Sequence, residues 1–170
     1  ATGTKTEKIL DAVFESAVDG IITINAHGII ETLNQASLQL FGYESKEELI
    51  GRKVNVLMPN PHRDQHDQYI ERYRKTGQAQ IIGIGREVEG RKKDGTTFSF
   101  LLSVSEFVFE GDHFFAGVIH DITDIKAAQE EIKSLNRSLE SRVEERTEKL
   151  NQVVNQLITT NKKLEREITE

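Results

Sequence analysis

The sequence predicts an α+β fold: one antiparallel β-sheet with short helices on one face, followed by a separate long helix. Three observations predict it. Two β-branched runs are followed by short helical segments and then by a three-strand meander, the element order of a sheet covered on one side. All twelve glycines and both prolines lie at or before Gly117, and the last 53 of 170 residues contain neither. The charge divides at the same place: residues 1–125 hold 13 basic and 19 acidic side chains, and residues 126–170 hold 9 of each. Three segments follow: an amphipathic N-terminal helix over residues 1–18, a sensor-sized domain over 19–125, and a coiled-coil helix over 126–170.

Ile9, Val13, Phe14 and Ala17 recur at helical spacing after Thr4. Asp19 and Gly20 signal a turn, residues 21–25 read as a strand, and Ala26, His27 and Gly28 form a tight turn. A second strand over 29–33 closes the hairpin. Asn34 suits the N-cap of a short helix ending at Phe41 before Gly42. Ser45, Lys46, Glu47 and Glu48 match a capping box. Pro61 suits the first turn of a longer helix that Gly77 ends. After it come residues 81–86 and 87–93, and Asp94 with Gly95 marks a hairpin. Over 96–109, Phe98, Phe100, Leu102 and Val104 alternate with Thr97, Ser99, Leu101, Ser103 and Ser105, as on a strand with one buried face. The last strand covers 113–122.

In the tail, Ile132, Leu135, Leu139 and Val143 begin an apolar stripe. Thr147, Leu150, Val154, Leu157, Asn161, Leu164 and Ile168 then alternate spacings of three and four, a heptad seam. Two successive spacings of four between Leu139 and Thr147 shift the register by one residue. A rod of about 68 Å (45 residues at ~1.5 Å each) would be unsupported alone, so the pattern predicts a parallel coiled-coil homodimer. The N-terminal helix is a second candidate contact.

Composition excludes several functions. There is no cysteine, so disulfides, thiolate metal sites and cysteine nucleophiles are absent. The net charge of −6 argues against nucleic acid as a partner. No apolar run reaches the ~18 residues that span a bilayer. The sequence predicts a soluble, cytoplasmic, bacterial chain and leaves room for a membrane anchor in a longer parent. No phosphate loop or nucleophile–base spacing is visible, and no histidine follows Glu145 to accept a phosphoryl group, so the chain reads as non-enzymatic.

The stretch of greatest chemical interest is residues 58–86. His66, Ile70 and Tyr73 share one helix face. A histidine on such a face needs a partner: a backbone carbonyl, a carboxylate or an iron. His62 and His66 have the spacing of a zinc pair but lack a third ligand. His27, His113 and His120 read as solvated or structural residues in turns or near a strand end. Ile70, Ile81, Ile82, Leu102, Val104 and Val118 could line an apolar slot, and Arg72 and Arg86 could meet anions beside it.

The element order, the run Gly90-Arg91-Lys92-Lys93-Asp94-Gly95-Thr96 and the closing Asp121-Ile122-Thr123 resemble a PAS domain. Within it, Asn55-Val56-Leu57-Met58-Pro59, then Arg63, His66, Asp67, Tyr69, Ile70, Arg72 and Tyr73, then Ile81-Ile82-Gly83-Ile84-Gly85-Arg86, resemble the haem PAS domain of the FixL oxygen sensors. That resemblance implies haem b held by His66 as the iron ligand, with Tyr69 and Ile70 on the same helix and Arg72 near a propionate. It implies Ile81, Leu102 and Val104 over the distal face. It implies that Arg86 pairs with a propionate without ligand and stabilises bound dioxygen or another small gas. Gln80 departs from a histidine near a propionate, and Val104 from a common isoleucine. Arg142-Val143-Glu144-Glu145-Arg146-Thr147 resembles the Glu-Arg-Thr signature of signalling helices, which join sensors to downstream histidine kinase or cyclase domains. The expected function is thus an oxygen-sensing regulatory module. A cofactor-free dimerisation or relay module is the second reading, and a flavin domain without cysteine photochemistry the third.

Overall fold

The computed structural model describes residues 3–59 and 85–170. Within them the elements run α1 (Lys5–Ser16), β1 (Gly20–Asn25), β2 (Ile30–Leu33), α2 (Gln35–Phe41), two 3-10 turns at Lys46–Glu48 and Val54–Leu57, β3 (Arg86–Arg91), β4 (Thr97–Phe109), β5 (Asp112–Asp121) and α3 (Thr123–Thr169). The strands form one antiparallel sheet in the order β2-β1-β5-β4-β3. The last strand therefore sits in the centre, between the first strand and the meander. Residues 3–123 form one compact unit and α3 from Asp124 another.

Local chemistry sets most element ends. Thr4 and Glu7 exchange the reciprocal bonds of a capping box at α1. Asn34 caps α2, and Gly42 ends it at φ 75°, a left-handed conformation that costs glycine little. Asp94 Oδ1 accepts from both the amide and the hydroxyl of Thr96 and fixes the β3–β4 turn. The carboxyl of Asp94 is held below its usual range by those bonds, the hydroxyl's first. The Glu48 carboxyl is likewise lowered, chiefly by the Lys93 ammonium, whose own titration the same contact raises. This pair ties the loop after α2 to the β3–β4 turn, where the Lys93 amide also donates to the Phe41 carbonyl.

The expected alternation along β4 is present: Phe98 and Phe100 are buried, and Leu102 and Val104 half-buried, on one face. The core gathers on that inner face, from Ile22, Ile30, Leu33, Leu38, Phe41, Leu49, Leu57 and Ile119. Phe41 meets Phe98 and Phe100 edge-on, with centroids 5.3 and 6.0 Å away. Opposite them on β3, Gly90 gives the rings room: a Cβ there would lie 2.5 Å from Phe100 Cε1.

The elements meet at Asn34, which is wholly buried. Its Oδ1 accepts from the Ile21 amide (2.9 Å), the Ser37 amide (3.2 Å) and the Ser37 hydroxyl (2.9 Å). Its Nδ2 donates to the carbonyls of Phe14 (2.9 Å) and Asp19 (3.0 Å). One side chain thus fastens the end of α1, the start of β1 and the start of α2. Asn34→Ala strands two part-buried carbonyls and two amides, those of Ile21 and Ser37, so it is expected to cost about 3 kcal/mol or more. Urea unfolding measures this, and a loss below about 1 kcal/mol, that of an ordinary helix cap, would contradict the role.

Candidate functional site

The sheet register places the described candidate residues. Arg86 opens β3 directly opposite Leu102 of β4. Leu102 pairs with Ile119 of β5, and Val104 with Gly117. Gly117 in turn pairs with Ile22 of β1. Directly paired residues share a face, so Arg86, Leu102, Val104, Gly117 and Ile22 all belong to the inner face. Ile24 and Phe115 continue it in the next row. The inner face thus has two ends. Near the β3–β4 turn it is filled by Phe41, Phe98 and Phe100. At the other end Leu102 and Val104 are only half-buried, and the central strand contributes a glycine.

Gly117 was missed as a site residue. Glycine in the middle of a central strand weakens the strand unless something must approach closely. A Cβ on Gly117 would lie 3.3 Å from Leu102 Cδ1 and 3.8 Å from the Ile22 carbonyl oxygen, so the missing side chain is what lets Leu102 pack down onto the central strand. The signal was present in the sequence as a lone glycine inside the last predicted strand.

Val118 requires correction. It pairs with Ser103, and its side chain emerges on the outer face, where it is 37% exposed. It cannot line a slot with Leu102 and Val104, because a shift of one residue along a strand reverses the face. His113, expected in a turn, is in β5 and holds Glu106 through Nδ1. His66, Tyr69, Ile70, Arg72, Gln80 and Ile81 lie outside the described residues, as do His62, Tyr73 and Ile82. Among the described residues no group of three or more His, Asp or Glu side chains is gathered that could hold a metal.

The described part of the inner face thus gathers the apolar side chains of Ile22, Leu102 and Val104 around Gly117, and Arg86 opens the neighbouring edge strand opposite Leu102. On this geometry, Gly117→Leu is expected to overpack the inner face against Leu102 and to cost about 1–3 kcal/mol. Urea unfolding checks this, and an unchanged stability would show that the inner face has room there.

A five-stranded antiparallel sheet with short helices over one face, and a long helix following its central strand, is the build of a small sensory domain. The chain belongs to the PAS family: the model for the PAS fold matches residues 8–122. It is 42% identical over 133 residues to the sensor protein FixL of Bradyrhizobium diazoefficiens, a match covering 78% of this chain and 26% of that protein. It is 29% identical to the oxygen sensor protein DosP of Escherichia coli, over 78% of this chain and 17% of DosP. The solved PAS domain of an HTR-like protein from Haloarcula marismortui superposes with a TM-score of 0.57 at 26% identity, covering 69% of this chain and 93% of that one. The chain spans about a quarter or less of the two curated relatives' lengths. It is a regulatory portion, a PAS domain plus a helix, without a catalytic domain. Among the described residues no helix is long and apolar enough to cross a membrane.

Proposed function

We propose that this chain is a haem-based oxygen-sensing module that controls a downstream kinase or cyclase domain through a dimeric coiled coil. Its working parts are an N-terminal helix (residues 1–18), the sensor domain (19–125) and the output helix (126–170). The observation that carries the reading is the convergence of Arg86, Leu102 and Val104 on the inner face around Gly117. The similarity to an oxygen sensor and to FixL supports it. When bound, haem b would supply an iron able to take up a small gas.

Each residue has a distinct task. His66 donates an imidazole nitrogen to the metal and must be neutral to do so. Tyr69 and Ile70 would contact the porphyrin, and Arg72 and Gln80 would meet its propionates. Ile81, Leu102 and Val104 exclude water from the gas-binding side. Arg86 would hold a propionate in one state and donate to a polar diatomic ligand in the other, and that change of partner would act on the start of β3, where Arg86 lies. Because Arg86 opposes Leu102, the effect would reach β4 through the register and then β5, the strand that leads into α3.

The output helix supports a dimer. Its seam residues Leu135, Leu139, Val143, Leu150, Leu157 and Leu164 are all at least half exposed in the single chain. Burying each fully would contribute about 1.5–3 kcal/mol, which makes a lone 47-residue helix the less stable arrangement.

An absorption spectrum of haem-reconstituted protein tests the reading. The expected result is a Soret band that shifts with carbon monoxide and is lost in His66→Ala, and Arg86→Ala should weaken dioxygen binding about tenfold, one charge-assisted hydrogen bond. A colourless, well-folded dimer after reconstitution would leave the cofactor-free relay module instead. Removing residues 126–170 should lower the dimerisation constant at least about a hundredfold. Equal dimerisation of the truncated chain, measured by analytical ultracentrifugation, would move the interface to α1 or the sheet.

A further inference from the structure

Beyond the ligand site, a chain of hydrogen bonds joins the two helices that flank the domain. The Phe14 carbonyl, in the last turn of α1, accepts from Asn34 Nδ2, and the second proton of that amide goes to the Asp19 carbonyl. The Asp19 carboxylate meets His120 Nδ1 at 2.7 Å. His120 is the penultimate residue of β5. The next residue, Asp121, accepts through Oδ1 from the Thr123 amide (2.9 Å) and hydroxyl (2.6 Å), and Thr123 is the first residue of α3. Between them Ile122 is buried, with its amide directed at the Ser99 carbonyl. The path crosses from α1 to α3 along one edge of the domain. It passes through none of Arg86, Leu102, Val104 and Gly117.

The local sequence has no other need of this arrangement. Asp19 follows α1 and precedes Gly20, so a turn forms there whatever its carboxylate contacts. His120 lies on the outer face, opposite Leu101 in β4, and needs no partner for burial: the two side chains are 50% and 39% exposed. Their contact spans 101 residues of sequence and extends the β1–β5 pairing, which begins at Gly20 and Ile119, by one side-chain link beyond the ladder.

We propose that His120 and Asp19 form a clasp that couples the N-terminal helix to the root of the output helix. The clasp gives the domain a second input: a displacement of α1, imposed by whatever precedes it in a longer chain, reaches α3 without passing through the ligand site. His120 and Asp19 are positioning residues in this relay. The mechanism does not require a cofactor and stands apart from the oxygen-sensing reading.

Amide hydrogen exchange on the whole chain, without added cofactor, tests it. In the native chain residues 127–130, the first hydrogen-bonded turn of α3, and residues 12–16 of α1 are followed together. Asp19→Asn and His120→Ala are each expected to speed exchange at both places by roughly two- to fivefold, the range for a half-exposed ion pair. The double variant should exchange no faster than either single one, because both remove the same contact. His120→Arg, which keeps a cationic donor, should restore the native rates. Acceleration confined to α1, independent effects that multiply in the double variant, or failure of the arginine to restore would each overturn the clasp.

Discussion

A single buried amide holds the domain in register. Asn34 must bury its side chain because α2 begins beneath the sheet, and a buried amide must find partners for both its oxygen and its two protons. It finds them in three elements at once: the Phe14 and Asp19 carbonyls, the Ile21 amide and Ser37. The entry of β1 is thereby fixed relative to α2. Since β5 pairs with β1 along six residues, the central strand is fixed too, and with it the side chains that β5 and β4 present to the inner face. The Asn34 bonds are directional, whereas the apolar contacts of Ile22, Leu33 and Leu38 tolerate sliding.

That register makes the inner face unequal from end to end. Three phenylalanines fill one end, and Gly90 accommodates them. At the other end Gly117 takes volume away, and Arg86 adds a charge at the border. A β-branched residue is the ordinary choice for a central strand, but at Gly117 it would meet Leu102. The outer face differs, with Leu101, Phe107 and Val118 in partial contact with water.

Much of this was legible in the sequence, and the reasons are local. Caps at Thr4 and Asn34, the left-handed stop at Gly42 and the Asp94 turn depend on residues within four positions of each other. The period of two along β4 announced its buried face. What escaped was long-range. The insertion of β5 between β1 and β4 joins residues almost a hundred positions apart, and nothing in either strand's pattern specifies that neighbour. The face of Val118 was misjudged because every residue from Phe114 to Val118 is apolar or glycine and hides the alternation. Asn34 was readable as a cap, but its bonds to Phe14 and Asp19 were not, since they run to carbonyls that every residue type carries.

The central proposal is that the chain binds haem, with His66 as the iron ligand and Arg86, Leu102 and Val104 beside it. Chemical rescue tests it most directly. His66→Gly removes the proposed ligand and leaves space for free imidazole, while Arg86, Leu102, Val104 and Gly117 remain. The expected result is that the ferrous carbon monoxide spectrum and the iron–imidazole stretching band, lost in the variant, return when millimolar imidazole is added. A variant that binds haem with the native spectrum before imidazole is added would contradict the account, because the iron would then take its ligand from another residue.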